Sequence, residues 1–166
     1  SMLYLTMTGR NDWASQLAFS NQSSFFYPSV GMSAVVSNMV KMPKGIDFLK
    51  VRASYSKVAS AFSRFLSNPS YTYNNQTHQW QKPNTAPLDN MKPEDTKSWE
   101  LGLNAKFLNN TINFDLTLYR SNTYHQTIYA ASSSSSLYNR KIEQTGNIQN
   151  QGIELAVGYN NQWGKL

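Results

Sequence analysis

Apolar and polar residues alternate one for one along six stretches of this chain, and no stretch repeats apolar residues at the i, i+3, i+4, i+7 spacing of a helix. Successive side chains of an extended strand point to opposite faces, so each stretch presents one apolar and one polar face. Leu3, Leu5 and Met7 alternate with Tyr4, Thr6 and Thr8. Phe26, Pro28, Val30, Met32, Ala34 and Val36 alternate with Tyr27, Ser29, Gly31, Ser33 and Val35, where Val35 is the one polar-face exception. Leu49, Val51, Ala53 and Tyr55 alternate with Lys50, Arg52, Ser54 and Ser56. Trp99, Leu101, Leu103, Ala105 and Phe107 stand against Glu100, Gly102, Asn104 and Lys106, and Ile112, Phe114, Leu116 and Leu118 against Asn113, Asp115, Thr117 and Tyr119. The sixth stretch sets Ile153, Leu155, Val157 and Tyr159 against Glu154, Ala156, Gly158 and Asn160. The predicted class is all-β, an antiparallel up-and-down meander of about six long strands.

Alternation alone fits two architectures, because a soluble sandwich packs one face of each sheet inward while a membrane barrel turns one face to lipid. The connections separate them. They fall at about 10–24, 38–46, 59–95, the tight turn 108–111, and 121–146, so long and short alternate strictly. Outer-membrane barrels have this asymmetry, with long extracellular loops on one rim and short turns on the other. A loop as long as 59–95 is out of place in a small soluble domain. Aromatic residues cluster near the strand ends at Phe25, Phe26, Tyr27, Tyr55, Trp99, Phe107, Tyr119, Tyr159 and Trp163, the distribution of an aromatic girdle. Six strands are too few to close a membrane barrel, so residues 1–166 are read as an arc of a transmembrane β-barrel domain.

Composition removes other classes. Only 14% of residues are charged, against about 25% in average soluble domains, and polarity comes instead from 21 Ser and 18 Asn. The absence of Cys excludes a disulfide scaffold, a Cys-ligated zinc site and thiol catalysis. No apolar run approaches the roughly 18 residues of a transmembrane helix, which leaves strands as the only membrane-crossing elements. The net charge of +6 is spread singly over strands and loops, with no run longer than Arg140-Lys141, so no nucleic-acid partner is expected. Ser1-Met2 leading straight into Leu3-Tyr4-Leu5-Thr6-Met7 reads as a cut from something longer.

Several segments carry a specific resemblance. Thr8-Gly9-Arg10-Asn11-Asp12-Trp13, Phe25-Phe26-Tyr27-Pro28-Ser29-Val30-Gly31-Met32-Ser33 and Phe48-Leu49-Lys50-Val51-Arg52-Ala53-Ser54-Tyr55 come in order along the first half of the chain. Leu88 through Leu101, then Asp115-Leu116-Thr117-Leu118-Tyr119 with Asn122-Thr123-Tyr124, then Gly146 through Leu155 follow in the second half. Together they resemble consecutive barrel motifs of the SusC/RagA family of TonB-dependent outer-membrane transporters. The resemblance implies the later part of a barrel of about 22 strands, with the plug domain and TonB box upstream. It implies uptake of oligosaccharide or peptide across the outer membrane of a Gram-negative bacterium of the Bacteroidetes, beneath a SusD-like lipoprotein. Energy would come from the TonB complex acting through the N-terminal region. Family members continue past the segment Asn160–Leu166 with further strands, and this chain departs from them there.

Candidate chemistry is sparse. Glu100, Asp115 and Glu154 fall on polar strand faces with Lys50, Arg52, Asn104 and Lys106, where opposite charges pair on a hydrated wall. A glycosidase would need two such carboxylates at a fixed separation, and no nucleophile, base or metal set can be drawn around them. The chain is therefore expected to have no catalytic residues, no metal and no cofactor. Arg10, Asn11 and Asp12 are placed at the rim, satisfying loop groups and one another. His78 and His125 are read as lone loop residues. Gly9, Gly31, Gly102, Gly146, Gly152 and Gly158 allow bends and close backbone approach in a curved sheet. Ligand contacts should come from loops on the rigid scaffold, and flat aromatic faces suit sugars. Trp13, Tyr71, Tyr73, Trp80, Tyr124, Tyr129 and Tyr138 are the candidates, with Asn74, Asn75 and Asn139 as amide partners. Loop 59–95 is also the expected contact with a lid protein, and Ser132–Ser136 is a polar tip. The sequons at Asn21, Asn75 and Asn109 are read as chance in an Asn- and Ser-rich chain.

A soluble glycan-binding β-sandwich, using the same loop aromatics, is the alternative reading. It requires the two apolar faces to bury one another without lipid.

Overall fold

The computed structural model describes residues 2–17, 23–61, 63, 66, 69–88 and 91–161. Six long strands form the body: β1 (Leu3–Trp13), β2 (Ser24–Val35), β3 (Ile46–Ser60), β7 (Glu94–Phe107), β8 (Ile112–Ala131) and β9 (Arg140–Tyr159). Three short strands, β4 (Thr72–Asn74), β5 (Gln79–Gln81) and β6 (Thr85–Ala86), interrupt the long connection between β3 and β7. One sheet runs β1-β2-β3-β7-β8-β9-β6, and β4 pairs with β5 in a separate small hairpin. The six long strands pair antiparallel with one another throughout, which is the predicted meander.

The register carries the alternation unbroken from strand to strand. Leu5 pairs with Met32, Met32 with Ala53, Ala53 with Leu101, Leu101 with Leu118 and Leu118 with Ile153, so one row of the sheet is apolar from edge to edge. The next row runs Leu3, Ala34, Val51, Leu103, Leu116, Leu155. Tyr55 pairs with Trp99 above these rows, and Phe107, Ile112 and Tyr159 lie in line below them. Between Trp99 and Phe107 the apolar belt measures about 26 Å along the strand at roughly 3.3 Å per residue, which suits a tilted membrane crossing.

Among the described residues nothing covers this belt. Ile153, Leu155 and Val157 are 73%, 60% and 66% exposed. The chain exposes 12196 Å² to solvent, whereas a water-soluble globular protein of 18.8 kDa exposes about 8,300 Å². A sandwich would have paired this face with a second sheet, so the alternative reading fails on the fold itself. In a barrel wall the missing burial is supplied by lipid, and the interstrand ladder satisfies the backbone polar groups that lipid cannot.

The turns are as expected on one rim. Leu108, Asn109 and Asn110 all take left-handed φ (53°, 56° and 61°) in the β7–β8 turn, and Asp47 Oδ2 accepts the Asn110 amide at 2.9 Å. The β2–β3 connection joins them through the Leu108 amide, which donates to Gly45 O at 3.1 Å.

The opposite rim needs correction. The stretch 121–146, read from sequence as a loop, is mostly strand: β8 and β9 stay paired up to Ala131 and Arg140, and the connection is only 132–139. β8 has 20 residues, about 66 Å of strand, so roughly half of it stands beyond the belt. Ser, Asn, Thr and Gln populate both faces there, and an antiparallel ladder solvated on both sides has no apolar contrast to reveal it. The 59–95 connection crosses to the far edge of this hairpin, where β6 pairs parallel with Arg140–Lys141 of β9.

The girdle also needs sorting. Tyr55, Trp99, Phe107 and Tyr159 share the apolar face. Tyr119 faces the other way, over Gly152, where its ring occupies the space a Cβ would fill. Phe25 and Tyr27 pack edge to face on the polar side, centroids 5.1 Å apart. Trp163 and Asn21 lie outside the described residues.

Candidate functional site

The polar face of the arc is organised around one arginine. Arg52 of β3 pairs directly with Gly102 of β7, and its side chain lies where a Cβ at 102 would stand. The bare backbone lets the guanidinium cross β7 and reach β8. Its Nη2 donates to Thr117 Oγ1 at 2.6 Å and to Asp115 Oδ1 at 3.3 Å, its Nη1 to Asn104 Oδ1 at 2.9 Å, and its Nε to Glu100 Oε1 at 3.4 Å. Asn104 Nδ2 closes the circuit onto Asp115 Oδ2. Glu100 and Asp115 are thus engaged by a single cation, as the charge-paired wall predicted. Glu154, on β9, joins Ser54, Ser98, Tyr119 and Asn150 around a basin of about 410 Å³ beside this network. A second concavity of about 510 Å³ lies toward the short-turn rim, between Phe48, Lys50, Lys106 and Asp115.

At the long-loop end of β1, Arg10 Nε donates to Asp12 Oδ1 at 2.6 Å, and the Arg10 guanidinium also stands 5.9 Å from the Tyr27 ring centroid. The Arg10 hydrogen bond holds the Asp12 carboxyl below the usual carboxylate range. Desolvation, then the Asp12 hydrogen bond, raises the Tyr27 phenol. This is the rim cluster read from the sequence.

The predicted ligand aromatics divide. Tyr73 and Trp80 oppose one another on β4 and β5, with ring centroids 5.2 Å apart at 62°, and Tyr73 Oη lies 3.4 Å from His78 Nδ1. Trp80 is 69% exposed. Tyr71 is exposed just before β4. Asn74 is not a free amide partner, because its Oδ1 accepts the amides of Gln76 and Thr77 at 2.8 and 3.1 Å and so shapes the hairpin turn. Tyr138 follows Leu137, whose carbonyl accepts Lys82 Nζ at 2.5 Å, and the Asn139 amide donates to Asn84 O at 3.0 Å. Trp13 ends β1, exposed.

Tyr124 and Tyr129 are strand residues of β8 rather than loop residues. Tyr124 lies beneath the Lys97 ammonium, 5.1 Å from ring centroid to Nζ, and Tyr129 lines a cavity of about 200 Å³ with Ser60, Glu94 and Thr127. His125 is also on β8, in left-handed conformation (φ 59°), and its Nδ1 lies 2.9 Å from Asp95 Oδ1. Sequence reasoning missed that partner because Asp95 belongs to a different strand.

Besides the β6–β9 pairing, one side-chain amide ties the end of the long connection to the β8–β9 hairpin. Gln144 Oε1 accepts the Lys92 amide at 2.8 Å, and Gln144 Nε2 donates to Lys92 O at 2.6 Å and to His125 O at 3.2 Å. Among the described residues no group of three or more His, Cys, Asp or Glu is placed to hold a metal ion, and no buried side-chain polar atom lacks a hydrogen-bond partner.

A family model described as TonB dependent receptor-like, beta-barrel matches residues 2–166. No curated protein sequence matches the chain. Among solved structures, it is similar to a chain of the RagAB peptide importer in the "closed-closed" state, with TM-score 0.80 and 20% identity over 99% of this chain. A chain of the same importer in the "open-open" state gives 0.78 and 22% over 97%, and one from a further structure of the RagAB peptide transporter 0.76 and 22% over 94%. This chain spans 18% of the length of each of those chains.

Proposed function

The chain belongs to the TonB-dependent receptor-like β-barrel family, and from that premise we propose that it forms part of the wall and extracellular rim of an outer-membrane nutrient importer. The observation that carries this reading is the uncovered apolar belt backed by a polar, hydrogen-bonded inner face. A lipid-facing belt and a wet lumen are what such a barrel requires. The edge of β1 away from β2, and the edge of β9 beyond its pairing with β6, offer unpaired ladder groups to further barrel strands.

In this reading the wall does no chemistry. The Arg52 network holds the lumen surface charge-paired and rigid, and cargo passes it in water. The cargo is an oligosaccharide or a peptide, captured beneath a SusD-like lipoprotein and released by the TonB complex acting through an N-terminal region. The solved structures it resembles are of a peptide importer, and the exposed Tyr73–Trp80 pair offers flat faces that serve either cargo. The long connection 61–93, held to the β8–β9 hairpin by Gln144, is the surface on which the lipoprotein would sit.

Cells carrying the whole transporter are incubated with a fluorescent decapeptide pool and, separately, a fluorescent oligosaccharide pool. TonB-dependent uptake of one pool, reduced by Trp80→Ala with unchanged protein level, is expected. Uptake of both pools that is indifferent to deleting the transporter contradicts the proposal.

A further inference from the structure

Two lysines face each other across the sheet with nothing of opposite charge between them. Lys57 of β3 and Lys97 of β7 are direct partners in register, a placement that brings Cβ atoms within about 5.5 Å and is unfavourable for like charges. Both lie on the belt side, one position beyond the Tyr55–Trp99 row. Arg120, the register partner of Trp99, adds a third cation on the same face. Among the described residues none of the three has a carboxylate within salt-bridge distance. Asp95, two residues from Lys97, is turned to His125 and only 14% exposed.

Two of the three cations are held in place. Lys97 Nζ stands over the Tyr124 ring. Arg120 Nη2 donates to Gln149 Oε1 at 2.6 Å and its Nε to Asn122 Oδ1 at 3.2 Å, which leaves further guanidinium donors for an external acceptor. A cluster of cations in and just beyond an aromatic row, continuous with the apolar belt, is complementary to anionic groups at headgroup depth.

We propose that Lys57, Lys97 and Arg120 form a docking site for the phosphate groups of an outer-leaflet phosphoglycolipid, and that this lipid anion relieves the Lys57–Lys97 repulsion. The inference rests on the barrel reading above and adds to it a lipid-specific contact at a defined depth. Ammonium and guanidinium groups together suit a phosphate, which accepts charge-assisted hydrogen bonds from both.

The test uses the whole transporter purified in mild detergent, titrated with fluorescent lipid A and with the same lipid after removal of its phosphates. The phosphorylated form is expected to bind tighter, and the double variant Lys57→Gln/Lys97→Gln to weaken it roughly thirtyfold without affecting the dephosphorylated form. A second readout is thermal: Lys97→Gln should raise the unfolding midpoint in lipid-free detergent and lower it, relative to the parent, when lipid A is present. Equal affinity for both lipid forms overturns the proposal, as does full competition by inorganic phosphate, which would make the site one for a soluble anion. Outer-membrane fractionation and heat-modifiable mobility are scored on the same preparation. A protein that passes both and shows no phosphate preference refutes this inference alone, and one that fails both refutes the barrel reading beneath it.

Discussion

Arg52 and Gly102 are opposed across β3 and β7, and the glycine's missing side chain is the passage through which the arginine reaches Thr117, a strand further on, at 2.6 Å. The pairing makes a positional demand that composition could not express: a residue with no Cβ beside a residue with a long, forked cation. A side chain at 102 would push the guanidinium off Thr117 and Asn104 and leave Glu100, Asp115 and a buried hydroxyl short of their partner.

Gly102→Ala is therefore expected to destabilise the barrel by about 1–3 kcal/mol, and Arg52→Leu by a similar amount. Gly31→Ala is the control, since a Cβ at 31 meets nothing within 4 Å. The readout is the temperature at which the detergent-purified transporter loses its compact electrophoretic mobility.

Neighbouring residues of β9 should respond oppositely to the same substitution. Leu155 lies in the exposed apolar belt, where, in the proposed barrel, an arginine near mid-depth costs about 2–4 kcal/mol. Glu154 points to the lumen basin. Leu155→Arg should reduce assembled protein in the outer membrane severalfold, and Glu154→Arg should leave assembly intact, as measured by the heat-modifiable fraction.

The Gln144 side chain acts as a short piece of backbone for Lys92, accepting its amide and donating to its carbonyl. Gln144→Ala strands both groups, at about 1–2 kcal/mol, so local opening of the chain around Lys92 should rise on the order of tenfold. Limited chymotrypsin cleavage after Met91, which is buried until the segment opens, is the measurement, with the rest of the barrel remaining resistant.

The β1 rim has a pH dependence of defined sign. Asp12 has its carboxyl lowered by Arg10, so its contribution is fully present above the ordinary carboxylate value of about pH 4 and is lost as pH falls through the lower value in the folded state. Amide exchange of residues 10–13 and 24–27, taken relative to its intrinsic rate at each pH, should be flat from neutral pH to about pH 5 and accelerate under stronger acidity. Asp12→Asn should remove that extra acceleration.

The strands and their faces were legible because apolar and polar residues contrast position by position: Leu116 beside Thr117, Leu155 beside Glu154. The charged wall was legible in kind, since Arg52, Glu100, Asn104 and Asp115 all fall on polar positions. The use of Gly102 as a passage was not, because it depends on register between β3 and β7. The upper half of β8 and β9 was hidden for a different reason. From Ser121 to Ala131 and from Arg140 to Asn150 both faces meet water, so a strand there looks like a loop, and Tyr124, Tyr129 and His125 were assigned accordingly. The β4–β5 hairpin and β6 are held by tertiary contacts too short to leave a period.

The central claim is that one face of this sheet meets lipid and the other a water-filled lumen, and the absence of native Cys allows a direct test. Single substitutions to Cys at Leu116, Leu155 and Val157, and at Ser54, Ser98 and Glu154, are introduced into the whole transporter and probed in intact cells with a charged, membrane-impermeant maleimide small enough to enter the lumen. Labelling of the second set and protection of the first, alternating along β9 between 154 and 155, is the predicted result. Equal labelling of both sets, or labelling of the Leu positions alone, would contradict it.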